Sequence, residues 1–587
     1  MTQAQANAQL ATDLFALLAA AGVRDVVVSP GARSAPLAFA ADATRGLCCH
    51  VTLDERVGAF FALGLARGTG LPTVFLCTSG SAGAHALPAV LEARHSRVPL
   101  LVVTADRPEE LQDCGAAQTI SQAQLLAPQA TTFLLEAVGP ETPAVHLRTR
   151  VAQVLDATRF PDAGPVHLNV RLREPLFEAS LAATTSTLAP LEIWRDEASP
   201  SPSLVREVAA RLSGQRGVIV VGPHAPDATL GASVHRLADR LGWPVVAEPG
   251  SQARYGHDGP TLISAAGAIL RSRRAAAHLA PRVVLRFGAA PTNKHVGAWL
   301  ARYASGRILA VDPAGTIRDP EHAAAVVVAA PAARLCEALC AAQLAAAPSA
   351  WLARWQALET QARRLLDDAA ATGFWEGSVA QLAAEHVPLS AAVHLGNSTP
   401  VRDAELFAPR HAPRRVVLTS RGTSGIDGGI ATVCGEARGL HQPVVAVLGD
   451  LALLHDVSGL LAARRLGGDI AVIVIDNGGG GIFRSLPLAE AGAAFERYCL
   501  TPTSYDIAGL ARVAELAYAR CTDAKALVDA LEHLPRPCVI HAVVDGAASH
   551  EARSRVLASI EATLERALEH YSESVNEHEH EEHSHDP

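Results

Sequence analysis

Apolar and polar positions along the chain follow a repeated pattern of short apolar runs separated by longer stretches of helical spacing. In the first part of the chain the runs are DVVVSP, TVFLCTSG, PLLVVTAD and GPVHLNV. Uninterrupted apolar runs of about 4–8 residues are typical of strands buried on both faces of a parallel sheet. The stretches between them, rich in Ala and Leu, favour helices. The pattern therefore predicts an α/β fold built from doubly wound parallel sheets.

The alternation of strands and helices is interrupted twice, which predicts three domains. A Ser/Thr/Pro-rich segment near 178–203 is typical of a linker, and the alternation fades in an Ala-rich region around 330–370. The tail SESVNEHEHEEHSHDP is charged and lacks apolar periodicity, so we expect disorder there. The predicted units are an N-terminal domain over 1–185, a central α/β domain over 200–355, a C-terminal domain over 370–570 and a His/Glu-rich tail over 571–587.

Charge and cysteine content narrow the classes of protein that fit this pattern. The formal net charge is −9 and no sustained basic stretch occurs, which argues against a nucleic acid partner. The 10 cysteines include no CxxC pair, so neither a disulfide framework nor a zinc site is expected. The amino terminus lacks a basic signal-peptide region, and the stretch from Ala323 to Ala353 contains Arg334 and Glu337, which makes it a poor membrane span. We therefore expect a cytoplasmic protein.

A candidate cation site lies in one strand–helix–strand unit of the C-terminal region. The run VVAVLGD ends in Gly449 and Asp450, and the next run, DIAVIVIDN, ends in Asn477. Strands joined by one helix are usually parallel and close in the sheet. Both polar side chains are therefore expected at the carboxyl edge, where open α/β sheets bind ligands. Their oxygens suit Mg²⁺, which often takes further ligands from a phosphate.

Four glycines, Gly478–Gly481, follow Asn477 directly. Without Cβ atoms the backbone can approach a diphosphate, and the carbonyl of Gly479 is a further candidate ligand for the cation. Three other interpretations compete. A Walker A loop would need Lys and Ser or Thr where Ile482 and Phe483 stand, and a dinucleotide-binding turn would need spaced glycines. A flexible surface loop stays open on the glycine run alone.

The Gly449–Asp450 pair followed by Asn477 resembles the diphosphate-anchoring motif of thiamine diphosphate enzymes. Those enzymes also need a glutamate from another domain, and the segment VTLDERVGAFFALGLARGTG offers Glu55. By this resemblance, Glu55 bonds to the aminopyrimidine ring of the cofactor and promotes formation of the nucleophilic ylid. Taken alone, Glu55 also fits an ordinary acidic residue that faces the dipole at a helix N-terminus.

Further motifs, in chain order, narrow the resemblance to one family. They are SPGARSAPLAFA, DERVGAFFALGLARG, TSGSAGAHALPAVLEA, TADRPEELQDCGAAQTISQ, GNSTPVRDAELF and RGTSGIDGGIATVCG. The chain is similar to the 2-succinyl-5-enolpyruvyl-6-hydroxy-3-cyclohexene-1-carboxylate (SEPHCHC) synthases, thiamine diphosphate enzymes of menaquinone biosynthesis. The matches cover the first and last thirds well, and the middle third contributes APTNKHVGAWL. The resemblance implies a pyrimidine-binding N-terminal domain and a diphosphate-binding C-terminal domain.

The resemblance also implies a transferase reaction and its cofactors. With thiamine diphosphate and Mg²⁺ or Mn²⁺, 2-oxoglutarate would lose carbon dioxide, and the succinyl carbanion would add to isochorismate in a 1,4-addition that gives SEPHCHC. Both substrates carry carboxylates. A site for them should therefore contain Arg and Lys, because guanidinium binds carboxylate in a bidentate manner.

Site residues follow from the same resemblance, one matched position at a time. The residues implied to face isochorismate are Arg33, Arg107, Gln118, Lys294 and Arg402. Those implied to contact the oxoglutarate-derived part are Ser398, Arg402 and Arg421. Those implied to hold cofactor and metal are Glu55, Ile426, Gly449, Asp450, Asn477 and Gly479. Those implied to form an apolar wall near the reacting carbon are Ile482, Phe483 and Leu486. Each arginine taken alone fits a solvated surface ion pair as well.

Four positions depart from the family pattern. Asp476 stands where an Asn often precedes the metal-binding Asn, and Leu451 follows Gly-Asp where many thiamine enzymes have Gly. Ala117 and Gly481 stand where amide side chains that touch the substrate are expected. These departures concern substrate contacts more than cofactor binding.

Assembly and alternative functions complete the expectations. The family joins its counterparts of Glu55 and Asp450 across a subunit interface, which implies a homodimer as the smallest active unit, with a homotetramer open. Another thiamine diphosphate enzyme, an acetolactate synthase or a 2-oxoacid decarboxylase, would share Glu55, Asp450 and Asn477 without requiring the arginines. A non-catalytic binding protein that keeps the fold is the third interpretation.

Overall fold

The computed structural model describes residues 2–136, 144–178, 185–196, 199–502 and 504–582. Within these residues the strands form three parallel sheets of 6, 5 and 6 strands. Each sheet lies within one of the three domains that the sequence predicts, at 25–171, 217–328 and 392–543. The α/β class is confirmed, whereas the domain boundaries stay predictions.

The first sheet has the strand order β2-β1-β3-β4-β6-β5. Its strands are β1 (Asp25–Val28), β2 (Cys48–Val51), β3 (Thr73–Cys77), β4 (Leu100–Asp106), β5 (Thr131–Glu136) and β6 (Val166–Arg171). Its helices are α1 (Gln3–Ala20), α2 (Ala35–Ala43), α3 (Glu55–Thr69), α4 (Leu87–Ser96) and α5 (Ala144–Ala157). All residues of β3 are buried, as expected for a strand covered on both faces.

The central sheet has the order β11-β10-β9-β7-β8. Its strands are β7 (Gly217–Val221), β8 (Val245–Ala247), β9 (Val283–Phe287), β10 (Ile308–Val311) and β11 (Ala324–Val328). The helices of this region are α6 (Pro202–Leu212), α7 (Leu230–Leu241), α8 (Ala266–Ile269), α9 (Arg273–His278), α10 (Lys294–Tyr303), α11 (Ala332–Ala341) and α12 (Ser349–Ala370). Helices long and apolar enough to cross a membrane do not occur among the described residues.

The third sheet has the order β13-β12-β14-β15-β17-β16, which repeats the topology of the first sheet. Its strands are β12 (Ala392–Leu395), β13 (Val417–Thr419), β14 (Val444–Gly449), β15 (Ile470–Asp476), β16 (Ala517–Cys521) and β17 (Cys538–Val543). The helices are α13 (Glu376–His386), α14 (Thr399–Phe407), α15 (Gly429–Leu440), α16 (Asp450–His455), α17 (Val457–Leu466), α18 (Ala493–Phe495), α19 (Ile507–Val513), α20 (Ala524–His533) and α21 (Gly546–Glu582).

Alternate residues of strand β3 pack into different apolar cores, which shows that helices cover both faces of the first sheet. In β3, Val74 and Leu76 belong to a core with α1 and α5, whereas Phe75 belongs to a core that contains α3 and α15. The second core continues into the third sheet through Ala446 and Val472. The first and third sheets are therefore joined by one apolar core.

Helices α3 and α15 form the centre of this shared core and run parallel to each other. A Cβ on Gly64 would lie 2.0 Å from the carbonyl oxygen of Thr432, and a Cβ on Gly435 would lie 2.2 Å from that of Phe61. Because only glycine allows backbones to approach this closely, these positions determine how near the two helices lie. The N-terminal ends of the two helices lie next to each other, because Phe60, near the start of α3, contacts Gly428, which directly precedes α15.

The last helix extends further than the sequence pattern indicates. α21 ends at Glu582, so the structure assigns helix to residues 571–582, where the sequence pattern predicts disorder, and residues 583–587 lie outside the described residues. No Gly or Pro occurs between Gly546 and Pro587, and without such a residue a polar stretch can continue an existing helix.

Candidate functional site

Asp450 and Asn477 leave two hydrogen-bonded parallel strands at the same edge of the third sheet. Gly449, the last residue of β14, is in register with Ile475 of β15. Asp450 then begins α16, and Asn477 follows the end of β15. The carboxylate of Asp450 accepts a hydrogen bond of 2.7 Å from the backbone N–H of Gly479. The two side chains and the glycine run therefore form one group at the carboxyl edge.

The Asp450 carboxylate is buried without a cationic partner. It is 2% exposed, and among the described residues no Lys, Arg or His forms an ion pair with it. Burial raises the pKa of Asp450 to about 6, and the negative charges of Asp476 and Glu376 act in the same direction. A bound cation would compensate for both effects, since it supplies the missing opposite charge.

The side chain of Asn477 is oriented by a buried carboxylate that the sequence pattern did not reveal. Its Nδ2 donates a hydrogen bond to Oε1 of Glu376, the first residue of α13. Its Oδ1 is buried and accepts no hydrogen bond from the described residues. Because buried polar atoms normally have partners, this free oxygen fits a metal ligand.

Glu376 is in turn held by an ion-pair network. Arg553 of α21 contacts Glu376 and binds Asp403 through Nε and Nη2, at 2.7 and 2.6 Å. Burial raises the pKa of Asp403 to about 6 despite the neighbouring guanidinium. Helices α13, α14 and α21 thus meet beneath Asn477 and fix the direction of its free oxygen.

The glycine run adopts backbone conformations that side chains would oppose. Gly478 has φ of 79° and Gly479 has φ of 122°. A Cβ on Gly479 would lie 2.1 Å from the carbonyl oxygen of Leu500. The N–H of Gly480 donates to the same carbonyl at 2.7 Å. The run is therefore held in place by Leu500 and Asp450, which argues against a flexible surface loop.

Asp476, one of the departures from the family pattern, has a partner of its own. Its Oδ2 lies 2.8 Å from Nε2 of His541, and Nδ1 of His541 lies 2.8 Å from the hydroxyl of Tyr518. The hydrogen bond from His541 holds the pKa of Asp476 below its usual value. Its Oδ1 accepts from the N–H of Gly478 at 3.3 Å, so Asp476 supports the glycine run.

The residues implied to form an apolar wall directly follow the glycine run in the sequence. Ile482 and Phe483 lie in a short turn of 3₁₀-helix, and Leu486 follows it. Phe483 and Leu486 are exposed, and the Phe483 ring contacts Gly480. Apolar side chains therefore follow directly on the glycine run, and their role as a wall near the reacting carbon stays a prediction.

Ser398, Arg402 and Arg421 come together at the edge near β12. Nη1 of Arg402 donates to the carbonyl of Ser398 at 2.7 Å, and Nη1 of Arg421 donates to Oδ1 of Asn397 at 2.9 Å. Burial lowers the pKa of Arg421, and the charge of Arg402 lowers it further. Two neighbouring guanidinium groups carry the donors that a carboxylate can bind.

The Asn397 side chain, which the sequence pattern did not single out, connects these residues to Ile426. Its Nδ2 donates to the carbonyl oxygens of Ser420 and Gly425, at 2.7 and 2.6 Å. Ser398, the next residue, has φ of 73°, a strained value of the kind that often marks functional sites. Ile426 is 37% exposed and lies between this loop and α15.

Arg107 and Gln118 meet at Ser79 in the N-terminal domain. Nη1 of Arg107 contacts Oγ of Ser79, and Nε2 of Gln118 donates to the carbonyl of Ser79 at 3.0 Å. Arg33 is buried and binds the carbonyl of Leu172 at 2.7 Å. Burial lowers the pKa of Arg107, and the charge of Arg33 acts in the same direction.

Lys294 is exposed and begins α10 of the central domain. The preceding Asn293 donates its backbone N–H to Oε1 of Glu248 at 3.1 Å. Burial raises the pKa of Glu248, and the charge of Arg421 opposes this effect. Glu248 therefore binds the backbone just before α10 and also lies close enough to Arg421 to interact with its charge.

Glu55 is half-buried and is the first residue of α3. The neighbouring Asp54 supplies the helix cap, because its Oδ1 accepts from the N–H of Arg56 at 2.9 Å. Burial raises the pKa of the Cys77 thiol, and the charge of the nearby Glu55 raises it further. Asp54 therefore supplies the cap, while Glu55 stands in the first turn, so its position fits both the helix-dipole and the cofactor interpretation.

Apart from Lys294 in the central domain, the predicted residues fall into two groups within one chain. Glu55, Arg33, Arg107 and Gln118 belong to the N-terminal domain, and the metal, glycine and Arg402–Arg421 groups belong to the C-terminal domain. Among the described residues, no hydrogen bond or ion pair joins Glu55 to Asp450 or Asn477.

Comparison with protein families matches three parts of the chain. The N-terminal TPP binding domain of thiamine pyrophosphate enzymes matches residues 8–125. The middle domain of thiamine pyrophosphate enzymes matches residues 188–395, and the C-terminal TPP binding domain matches residues 398–542.

Curated proteins are similar to the chain over most of its length. A protein of Sorangium cellulosum is 39% identical over 543 residues, which cover 88% of each chain. One of Geobacillus kaustophilus is 40% identical over 84% of this chain and 86% of that protein. One of Halobacterium salinarum is 37% identical over 95% of this chain and 98% of that protein. All three are named 2-succinyl-5-enolpyruvyl-6-hydroxy-3-cyclohexene-1-carboxylate synthase.

Proposed function

The chain belongs to the SEPHCHC synthases, a family of thiamine diphosphate enzymes, and from this premise we propose its reaction. The enzyme removes carbon dioxide from 2-oxoglutarate and transfers the remaining four-carbon unit to isochorismate by 1,4-addition, giving SEPHCHC. The observation that carries the proposal is the Asp450–Asn477 pair beside a fixed glycine run, in a chain that also contains the arginines for two acidic substrates.

Thiamine diphosphate supplies, when bound, a nucleophilic carbon that adds to an oxo acid and stabilises the charge left by decarboxylation. Asp450, the free Oδ1 of Asn477 and the carbonyl of Gly479 would hold Mg²⁺ or Mn²⁺ against the diphosphate. The support is that Asp450 lacks a cationic partner and that Asn477 Oδ1 is buried without a donor among the described residues. Both oxygens are of the type that these hard cations prefer.

The arginines and their neighbours would bind the substrates. Arg402 and Arg421 would bind a carboxylate of 2-oxoglutarate next to Ser398, since the two guanidinium groups lie close enough for the charge of Arg402 to lower the pKa of Arg421. The residues proposed for isochorismate are Arg33, Arg107, Gln118, Lys294 and Arg402. Ile482, Phe483 and Leu486 would exclude water from the reacting carbon, because they follow the glycine run and Phe483 and Leu486 expose apolar surface there.

Glu55 would hold the proton that activates the cofactor, at the ring nitrogen of the aminopyrimidine. Ile426 would support the cofactor in its bent form. Both residues lie near the N-terminal ends of the parallel helices α3 and α15, on the same side of the chain. Two chains that face each other on this side would complete two sites, so we propose a homodimer, alone or within a homotetramer.

The cytoplasm is the proposed location. All 10 cysteines are free, which is typical of a reducing compartment.

The direct test is turnover of the purified protein with thiamine diphosphate and Mg²⁺. We expect carbon dioxide release from 2-oxoglutarate and formation of SEPHCHC by mass spectrometry when isochorismate is present. The Glu55→Gln variant should bind the cofactor in calorimetry but lose about 100-fold or more of the rate, as expected for removal of a group that transfers a proton. Robust turnover of pyruvate, without use of 2-oxoglutarate, would instead favour an acetolactate synthase or a 2-oxoacid decarboxylase.

A further inference from the structure

Glu92 is a carboxylate of α4 in the N-terminal domain that binds a loop of the C-terminal domain. Its side chain is almost fully buried. Oε1 accepts from the N–H of Gly422 at 3.1 Å, and Oε2 accepts from the N–H and the hydroxyl of Thr423, at 2.8 and 3.1 Å. One side chain therefore binds three donors of the loop that follows β13.

Glu92 is itself fixed from the other side. Nη2 of Arg67 lies 3.2 Å from Oε1 of Glu92, and the hydroxyl of Ser96 donates to the same oxygen at 2.6 Å. Arg67 also binds Glu436 of α15 at 3.0 Å, and His394 binds the other oxygen of Glu436 at 2.8 Å. Burial would raise the pKa of Glu436, but His394 and Arg67 hold it below its usual value. The carboxylate of Glu92 thus belongs to a buried network of hydrogen bonds and ion pairs between two domains.

The loop that Glu92 binds carries two residues of the proposed active site. Arg421 directly precedes Gly422, and Ile426 follows Thr423 by three positions. Between them Ser424 has φ of 60°, a conformation that needs support from its surroundings. Asn397 binds the two ends of the loop, at Ser420 and Gly425. From the N-terminal domain, Glu92 binds Gly422 and Thr423 of the loop, and Nη1 of Arg67 donates to Oγ of Ser420 at 3.2 Å.

We propose that Glu92 is a positioning residue for the reaction, which fixes the 421–426 loop so that Arg421 meets 2-oxoglutarate and Ile426 supports the cofactor. The proposal rests on the proposed function of this site. Glu92 would act through the loop, because its oxygens are occupied by Gly422, Thr423, Arg67 and Ser96. Without it the loop would populate conformations that cannot bind 2-oxoglutarate, and apparent affinity falls with the fraction that can bind.

The test compares Glu92→Gln with a matched control, Glu359→Gln. Glu359 is buried to the same extent and also accepts two backbone N–H bonds and one hydroxyl bond, from Ser264 and Ala265 in the central domain. Both variants should lose thermal stability. Only Glu92→Gln should raise the KM for 2-oxoglutarate, by about tenfold, while the KM for isochorismate stays within about twofold of the wild-type value. Equal kinetic effects of the two variants, or none for Glu92→Gln, would overturn the proposal.

A double-mutant cycle with Arg421→Lys distinguishes positioning from general destabilisation. If Glu92 acts through Arg421, Glu92→Gln should raise the KM for 2-oxoglutarate much less in the Arg421→Lys background, because neighbours in one network are not additive. Additive effects would contradict the proposal. Thr423→Val removes only the hydroxyl bond to Glu92 and should give a smaller change in the same direction, which keeps the test available if Glu92→Gln does not fold.

Hydrogen exchange gives a readout that does not require turnover. The amide protons of Gly422 and Thr423 should exchange faster in Glu92→Gln than in the wild type. In Thr423→Val the neighbouring amides should exchange faster, and in Glu359→Gln the exchange of this loop should keep the wild-type rate. If the wild-type enzyme fails to convert the substrates, the proposed function fails while exchange still tests the contact. Unchanged exchange of this segment in Glu92→Gln would show that Glu92 does not hold the loop.

Discussion

At the scale of single residues, the cation site depends on what its oxygens lack. Asp450 has no cationic partner among the described residues, and Asn477 Oδ1 has no donor there. Both the unpaired carboxylate of Asp450 and the unpaired acceptor of Asn477 are unfavourable in a protein interior, because a buried charge or acceptor without a partner destabilises the fold. The neighbouring carboxylate of Glu376 orients the amide of Asn477, so the free oxygen follows from a specific contact.

Metal affinity should depend on the protonation of Asp450. Burial raises the pKa of this carboxyl to about 6, above its value of about 3.9 in an unfolded chain. Protons therefore compete with the cation from higher pH than usual. We expect Mn²⁺ affinity, measured by electron paramagnetic resonance in the presence of thiamine diphosphate, to be constant above pH of about 7 and to fall about tenfold per pH unit below about 6. Asp450→Asn should bind more weakly without this pH dependence, and a flat wild-type profile would contradict the assignment.

Gly481 stands where an amide side chain is expected from the family pattern, and the structure explains its small size. A Cβ at this position would lie 2.6 Å from Nδ2 of Asn477 and 3.5 Å from Oε1 of Glu376. Gly481→Ala should displace Asn477 and weaken Mg²⁺ binding by about tenfold or more, as expected for loss of an orienting contact. Calorimetry with thiamine diphosphate at varied Mg²⁺ measures this. Gly164→Ala, where a Cβ meets no atom within 4 Å, is the control, and equal affinities in the two variants would reject the explanation.

At the scale of secondary structure elements, the contact between α3 and α15 connects the N-terminal and C-terminal domains. Glycines on both helices bring the backbones together, and the arrangement directs Glu55 and Ile426 to one side of the chain. The carboxylate of Asp456, which follows α16, accepts from the N–H groups of Ile430 and Ala431, at 2.8 and 3.0 Å. The start of α15 is thus held by hydrogen bonds and its middle by close packing.

Gly435→Ala should disturb this contact far more than the same change elsewhere in α15. Its Cβ would lie 2.2 Å from the carbonyl oxygen of Phe61, whereas a Cβ on Gly429 meets only side-chain carbons of Leu448 at 3.7 and 3.8 Å. Overpacking of this kind destabilises by about 1–3 kcal/mol or more. We therefore expect a lower apparent Tm for Gly435→Ala and little change for Gly429→Ala in thermal scans at one heating rate. Equal Tm values would show that the helices can separate freely.

At the scale of the whole molecule, Glu55 and the Asp450–Asn477 pair fall in different domains of one chain. Glu55 forms no hydrogen bond or ion pair with Asp450 or Asn477 among the described residues. The first and third sheets share one topology and one apolar core, so both domains present their proposed functional groups from a common scaffold. A symmetric pair of chains would join Glu55 of one to Asp450 of the other.

Mixing two inactive variants tests this arrangement. Glu55→Gln and Asp450→Ala should each have little activity alone. After exchange of subunits at equal amounts, half of the dimers would contain one chain of each kind, and each of these would have one intact site. Activity should therefore return to about a quarter of the wild-type value. If mixing restores nothing while one variant co-purifies with an affinity-tagged copy of the other, Glu55 and Asp450 act within one chain.

Part of this site can be predicted from the sequence, because it depends on residues that lie close together along the chain. The ends of β14 and β15 follow from apolar runs, and parallel strands bring their ends together, so Asp450 and Asn477 can be paired from the order of residues alone. Glu376, Asn397 and Glu92 cannot be found in this way. Their partners lie far away in the sequence, and no periodic pattern or spacing distinguishes them from other buried polar residues.

The α/β class, most of the strands and the residue types at the strand ends follow from the order of residues alone, because these depend on propensity and burial along short stretches. Family resemblance, carried by motifs in the first and last thirds, added the cofactor and the reaction. Only the tertiary structure decided that Asn477 Oδ1 lacks a donor among the described residues, that Asp54 rather than Glu55 caps α3 and that Glu92 holds the 421–426 loop. Such facts depend on contacts between distant segments, and these contacts exist only after the chain has folded.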